Sequence, residues 1–248
     1  MSDQLLVERH DGILVLTLNR PTKHNALNRE LGGAIAEELQ RAEEDDTIVV
    51  AVLTGAGTQA FCAGADMGEQ LNPETRGGAE RAIAAAASFT KPLVGVVNGV
   101  AYGGGALLAA VCDIRYGCEA SSFKFLGATY GLVVGAAHLP GIVGAAQARE
   151  LIFTARTVAA DEALELGLLN ALYPQGDLLE EALGCATLIA ANSLEALRAS
   201  KQVLGMAQGN EEAWQREASY NRDLRGSAEQ VERFTRAANR VLKRTDER

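Results

Sequence analysis

The spacing of apolar residues alternates between two periods along the chain, and each change of period marks an element. Leu5–Arg9 and GILVLTLNRP (12–21) are apolar stretches joined at Asp11–Gly12, a pair that favours a two-residue hairpin turn. A β-hairpin is therefore predicted, ended by Pro21. Leu27, Leu31, Ile35 and Leu39 then recur at helical spacing, with acidic and basic residues on the outer face. TIVVAVLTG (47–55) is an unbroken apolar run, the mark of a strand covered on both faces. An Ala-rich helix from about Ala79 to Ser88, a buried strand in KPLVGVVNG (91–99) and a small-residue helix in GGGALLAAVCD (103–113) follow, then strand and turn in IRYGCEASSFKF (114–125). Strand and helix alternate, which implies an α/β fold with a mainly parallel core and helices outside. AADEALELGLLNALYP (159–174) predicts a short helix closed at Gly167 and a short strand, and beyond Asp177 the pattern is helical to the end. The organisation expected is a β-rich core over 1–190 and a helical C-terminal region over 191–248.

Two stretches break the pattern by lacking side chains: FCAGADMG (61–68) and NGVAYGGGALLAA (98–110). Each follows a buried strand and leads into a helix. Helix N-termini present unpaired N–H donors and partial positive charge. Two such ends facing each other make an oxyanion hole, in which two backbone N–H groups hold a carbonyl oxygen that gains negative charge. Gly and Ala suit that task because a larger side chain would block the ligand. The plainer reading is that the glycines allow tight turns and close packing, and that Asp66 only caps a helix.

Composition narrows the partners. With 32 acidic and 23 basic residues the net charge is −9, so nucleic acid is not an expected partner. The start, MSDQLLVERHDG, has no charged leader before an apolar run, and no stretch approaches the length of a membrane span, so a cytoplasmic location away from the membrane is expected. The four cysteines show no CxxC spacing, and His10, His24 and His138 form no metal motif, so no metal is expected. No G-x-G-x-x-G, P-loop lysine motif or G-x-S-x-G elbow is present, which removes dinucleotide, P-loop nucleotide and serine-hydrolase readings.

HNALN (24–28), FCAGADM (61–67), KPLVGVVNGVAYGGGALLAAVCDIR (91–115) and TARTVAADEALELGLLNALYP (154–174), taken together and in this order, resemble the crotonase superfamily, the enoyl-CoA hydratase/isomerase family. The resemblance implies a spiral of ββα units whose helical C-terminal region packs in trimers, often dimers of trimers. It implies an acyl-coenzyme A thioester as ligand, in fatty-acid or related acyl-CoA metabolism, with coenzyme A present as part of the substrate and no permanently bound cofactor. The family's two oxyanion donors fall on the N–H groups of Ala65 and Gly104, and stabilise a thioester enolate. Its coenzyme A-contacting loops fall on Lys23, Asn25, Ala26 and Leu27, and on Ala63, Gly64, Asp66 and Met67.

The two glutamates of the family's hydratases are missing. Their positions fall on Leu107, three residues after the second donor glycine, and on Gly127 in FKFLGATYG (123–131), where Leu126 also replaces a proline. The stretch from Gly131 to LPGIVG is about three residues shorter than usual. Other branches place a His or Tyr after CAG or an Asp farther along, and Ala65 and Gly135 occupy those regions here. General acid–base groups typically contribute about 10²–10⁴-fold each, so classical hydratase activity is not expected. His138 and Tyr130 are the remaining acid or base candidates, against plainer readings as a helix-start histidine and a core tyrosine. Leu107, Leu126 and Leu132 suggest a dry acyl pocket. The expectation is an acyl-CoA enzyme of this family. The alternative is a catalytically impaired acyl-CoA-binding protein that keeps the fold.

Overall fold

The computed structural model of the chain describes residues 2–72, 74–208 and 211–246. Strands β1 (Leu5–His10) and β2 (Ile13–Leu18) pair antiparallel, with Asp11 and Gly12 at positive φ in the turn between them. Helix α1 (Arg29–Glu44) starts at Asn28, whose side chain accepts the Leu31 N–H. A ββα unit then runs three times. The first is β3 (Val50–Gly55), β4 (Ala60–Cys62), a one-turn α2 (Met67–Gln70) and α3 (Gly78–Ser88). The second is β5 (Leu93–Val97), β6 (Val100–Tyr102) and α4 (Gly104–Ala110). The third is β7 (Ile114–Gly117) and β8 (Ser122–Lys124), followed by a 3₁₀ turn over Ala128–Tyr130, α5 (Leu139–Val143) and α6 (Ala145–Thr154). Then come β9 (Val158–Ala159), α7 (Ala160–Glu165), β10 (Ala171–Leu172) and four C-terminal helices: α8 (Leu178–Ala190), α9 (Leu194–Gln208), α10 (Glu211–Leu224) and α11 (Ala228–Asp246).

Each unit gives its first strand to one sheet and its second to another. The larger sheet has the order β1-β2-β3-β5-β7-β10 and is parallel except for the hairpin. The smaller has the order β4-β6-β8-β9. Period-two alternation divides the apolar strands between two cores: Leu14, Leu16 and Leu18 point to α1 and the spiral interior, whereas Ile13 and Val15 join Val50, Val52, Val94 and Val96 beneath α8. This is why the strands read as unbroken apolar runs. The smaller sheet was not legible as strands, because β4 and β6 are three residues each and lie inside the two small-residue stretches. Among the described residues no helix is long and apolar enough to cross a membrane.

Two packing devices hold α1 in place. The Lys91 ammonium, fully buried, donates to the carbonyls of Ala42, Asp45 and Ile48, which closes the C-terminal end of α1 onto the start of β5. Burial pulls its pKa down from that of an ordinary lysine. At the other end α1 and α3 meet backbone to backbone. A Cβ on Gly32 would lie 2.0 Å from the Gly78 carbonyl oxygen, and one on Gly78 would lie 2.1 Å from that of Asn28.

Adjacent glycines of α1 should therefore respond oppositely to the same change. Gly33 faces only the flexible end of Arg81, with Nη1 3.3 Å from an added Cβ. Gly33→Ala is expected to stabilise the chain by about 0.5–1 kcal/mol through helix propensity. Gly32→Ala, with the same propensity gain, is expected to destabilise by roughly 2 kcal/mol or more through overpacking. Urea unfolding of the two variants checks the sign.

Candidate active site

The two side-chain-poor stretches meet. In the parallel bridge between Leu27 and Ala65, the Leu27 N–H donates to Gly64 O at 2.7 Å and the Asp66 N–H donates to Leu27 O at 3.0 Å. Backbone groups alternate sides along an extended chain, so the intervening Ala65 N–H points the other way. Gly104 opens α4, where the first N–H groups have no intrahelical acceptor. Neither N–H has a hydrogen-bond acceptor among the described residues. The two lie side by side: a Cβ on Gly104 would be 3.6 Å from Ala65 N, and one on Gly64 would be 3.2 Å from Gly104 N and 2.7 Å from Tyr102 O. Gly103, at φ 54 and ψ −118, sets the turn into α4 and needs glycine. A pair of unpaired donors at a helix start can accept an oxygen that develops negative charge.

Both residues lie on the wall of a cavity of about 1470 Å³. This exceeds the roughly 300–1,000 Å³ of sites for drug-sized ligands and suits a long ligand. One side is formed by Lys23, His24, Ala26 and the 63–68 turn, and the interior by Ala79, Ile83, Leu107, Leu126, Gly127, Tyr130 and Leu132. The C-terminal helices complete it with Trp214, Glu217, Asn221, Arg222, Arg225 and Phe234.

Lys23, Ala26, Ala63, Gly64, Ala65, Asp66, Met67, Gly104, Leu107, Leu126, Gly127, Tyr130 and Leu132 thus come together on one wall, and three other residues singled out from the sequence do not. Asn25 is 0% exposed; its amide donates to Ala56 O and Ala60 O and accepts the Arg20 N–H, so it braces the turn beneath the cavity. Leu27 is core, held by α1 and the bridge to Ala65. His138 packs its ring against Trp214, with centroids 4.6 Å apart, and lies outside the wall. Burial lowers its pKa, and its Nδ1 has no hydrogen-bond partner among the described residues. Tyr130 does face the cavity, edge-on to Phe234, and burial raises its pKa. Asp66 caps α2 through the Gly68 N–H and pairs with Arg20 at 2.9 Å. Glu69 reaches back to the Arg29 N–H at 2.6 Å and so caps α1.

Position 127 has no room for a longer side chain. The segment after Gly131 folds back, with the Leu132 N–H donating to Gly127 O at 2.9 Å. A Cβ on Gly127 would lie 2.7 Å from Val134 N and 2.8 Å from Leu132 O. Helix α10 clamps this segment. The Asn221 side chain both donates to Val133 O and accepts the Val133 N–H, at 2.7 and 2.8 Å. The Glu217 carboxylate accepts the Gly135 N–H at 3.0 Å and the Ala137 N–H at 2.8 Å. Sequence reasoning missed these α10 residues. The available signal was that Trp214, Glu217, Asn221 and Arg225 share one helical face, so a mixed polar face replaces the apolar one expected of a core helix.

The enoyl-CoA hydratase/isomerase family model matches residues 8–244. The short-chain-enoyl-CoA hydratase of Clostridium acetobutylicum is 34% identical over 212 residues, covering 82% of this chain and 81% of that protein. The 2,3-dehydroadipyl-CoA hydratase of Escherichia coli is 35% identical over 212 residues, covering 83% of each. Among solved structures, an enoyl-CoA hydratase/isomerase from Pseudoalteromonas atlantica matches with TM-score 0.86 at 33% identity, over 94% of this chain and 96% of that one. The architecture is therefore the crotonase fold. The chain belongs to the enoyl-CoA hydratase/isomerase family.

The crowding at Gly127 has a measurable consequence. Gly127→Ala is expected to destabilise by about 1–3 kcal/mol, the cost of overpacking against backbone. Gly127→Glu, alone or with Leu107→Glu, is expected to give no crotonyl-CoA hydration, because the 132–134 segment occupies the space. Hydration gained by the double variant, in a spectrophotometric assay, would contradict this.

Proposed function

We propose that the cavity binds an acyl-coenzyme A thioester with its carbonyl oxygen between the N–H groups of Ala65 and Gly104, and that the protein is an enzyme working through the thioester enolate. The observation that carries this is the pair of adjacent, unpaired backbone donors on the wall of a long cavity. Coenzyme A enters as part of the substrate, along the side that carries Lys23, Ala26, Ala63, Gly64, Asp66 and Met67. The acyl chain lies against Leu107, Leu126 and Leu132. Removal of an α-proton puts charge on the thioester oxygen. Fixed donors in a water-poor site favour that charge more than the neutral ground state, which lowers the barrier.

Hydration is the less favoured reaction for this site. It needs groups to activate water and to protonate carbon, and the wall offers the Leu107 side chain, 6% exposed, and the crowded Gly127 where the family's hydratases carry them. The same two residues favour a second reading, an acyl-CoA-binding protein without turnover. By resemblance to the family we also propose a trimer or dimer of trimers. The exposed Val203, Leu204 and Met206 of α9 give such an assembly apolar surface to bury. Light scattering that returned the mass of a single chain would refute the assembly.

Gly104→Pro removes one donor N–H while proline remains compatible with the first position of a helix. Turnover of whichever acyl-CoA in a broad panel is consumed is expected to fall by about 10²–10³-fold. Unchanged turnover in the variant would overturn the oxyanion role. A wild-type chain that binds thioesters calorimetrically and consumes none would establish the second reading, and absence of binding would exclude both.

A further inference from the structure

Three carboxylates line the cavity among the described residues, and their partners separate them. Asp66 pairs with Arg20, and Glu80 pairs with Arg225. Glu217 has no Lys or Arg within ion-pair distance among the described residues, although it is only 6% exposed. It is held by backbone N–H groups of Gly135, Ala136 and Ala137. A carboxylate has about four lone-pair sites, so these bonds leave at least one unfilled. Burial, opposed by these N–H bonds, raises its pKa above that of an ordinary glutamate. That brings it closer to the range that suits an acid and base near neutral pH.

Its location also matters. Glu217 grips the same shortened segment that fills the space beside Gly127. The segment that closes off position 127 is therefore tied to Glu217, a residue of the cavity wall on α10.

We propose that Glu217 is the proton-transfer group of this site, a single carboxylate supplied by the C-terminal helix that moves a proton on the acyl chain of a bound thioester. This rests on the acyl-CoA reading above. The α C–H bond breaks and an O–H bond forms on Glu217. The C–H electron pair moves into the bond between Cα and the thioester carbon, and the oxygen gains the charge beside Ala65 and Gly104. Replacement of that proton on the Glu217 carboxyl group by one from solvent, followed by return to Cα, gives exchange. With a β,γ double bond present, return to Cγ shifts the double bond into conjugation. Both outcomes conserve atoms and electrons and add no water to the substrate, so one carboxylate suffices.

The test uses 3-butenoyl-CoA with the full chain in D₂O, reading deuterium incorporation and formation of crotonyl-CoA by mass spectrometry and absorbance. Wild type is expected to do both. Glu217→Gln, which keeps one acceptor for the segment, is expected to be at least about 10²-fold slower, with calorimetric affinity for the thioester within a few-fold. Asn221→Ala removes the neighbouring clamp and is expected to lose less than about tenfold, which separates proton transfer from mere bracing of the segment. Glu217→Asp, shorter by one methylene, is expected to lose at least about tenfold, and decides the matter if the Gln variant does not fold. Rates for the Gln or Asp variant within about threefold of wild type would overturn the proposal, as would equal losses in Glu217→Gln and Asn221→Ala. Binding by wild type with neither exchange nor isomerisation would overturn it while leaving the binding reading intact. Absence of binding would defeat both.

Discussion

The site depends on one close approach of backbone to backbone, between the chain at 62–65 and the chain at 102–105. A Cβ on Gly105 would lie 2.0 Å from the Cys62 carbonyl oxygen, and one on Gly64 would lie 2.7 Å from that of Tyr102. Two missing side chains therefore let successive turns of the spiral dock without a gap. The smaller sheet supports the approach, since β4 and β6 pair directly before the two segments. The larger sheet sets their direction, because β3 and β5 run parallel and deliver both segments to the same end. The Ala65 and Gly104 N–H groups are left side by side without acceptors. In an apolar setting unpaired donors cost free energy, and an incoming oxygen removes that cost.

The cavity wall near the donors is apolar on one side and crowded on the other. Leu107 lends it an apolar side chain, and the segment after Gly131 packs onto Gly127. Helix α10 then ties that segment down through Asn221 and Glu217. The segment needs partners for its N–H groups, and the helix supplies a carboxylate and an amide. In the proposed mechanism the carboxylate serves both the segment and the substrate.

Much of the fold was legible because two physical signals were strong. The apolar runs at β2, β3 and β5 could only be strands covered on both faces, and the spacing of Leu31, Ile35 and Leu39 could only be an amphipathic helix. The approach of Ala65 to Gly104 was legible through absence, since two strand ends devoid of side chains imply close approach. Other features depend on distances that no local pattern encodes. Asn25 sits between His24 and Ala26 of the cavity wall, yet its own amide is engaged by Ala56 and Ala60. His138 is near the cavity along the chain, but its ring turns to Trp214. That Gly127 is crowded by Val134, and that Glu217 meets Gly135 from 82 residues farther along the chain, follows only from tertiary packing.

The most direct test of the central claim is a crystal structure of the chain with a bound acyl-CoA thioester. The account predicts the thioester oxygen within hydrogen-bond distance of both Ala65 N and Gly104 N, about 2.7–3.2 Å from each. A thioester seated in the cavity with its oxygen directed to neither N–H would contradict it.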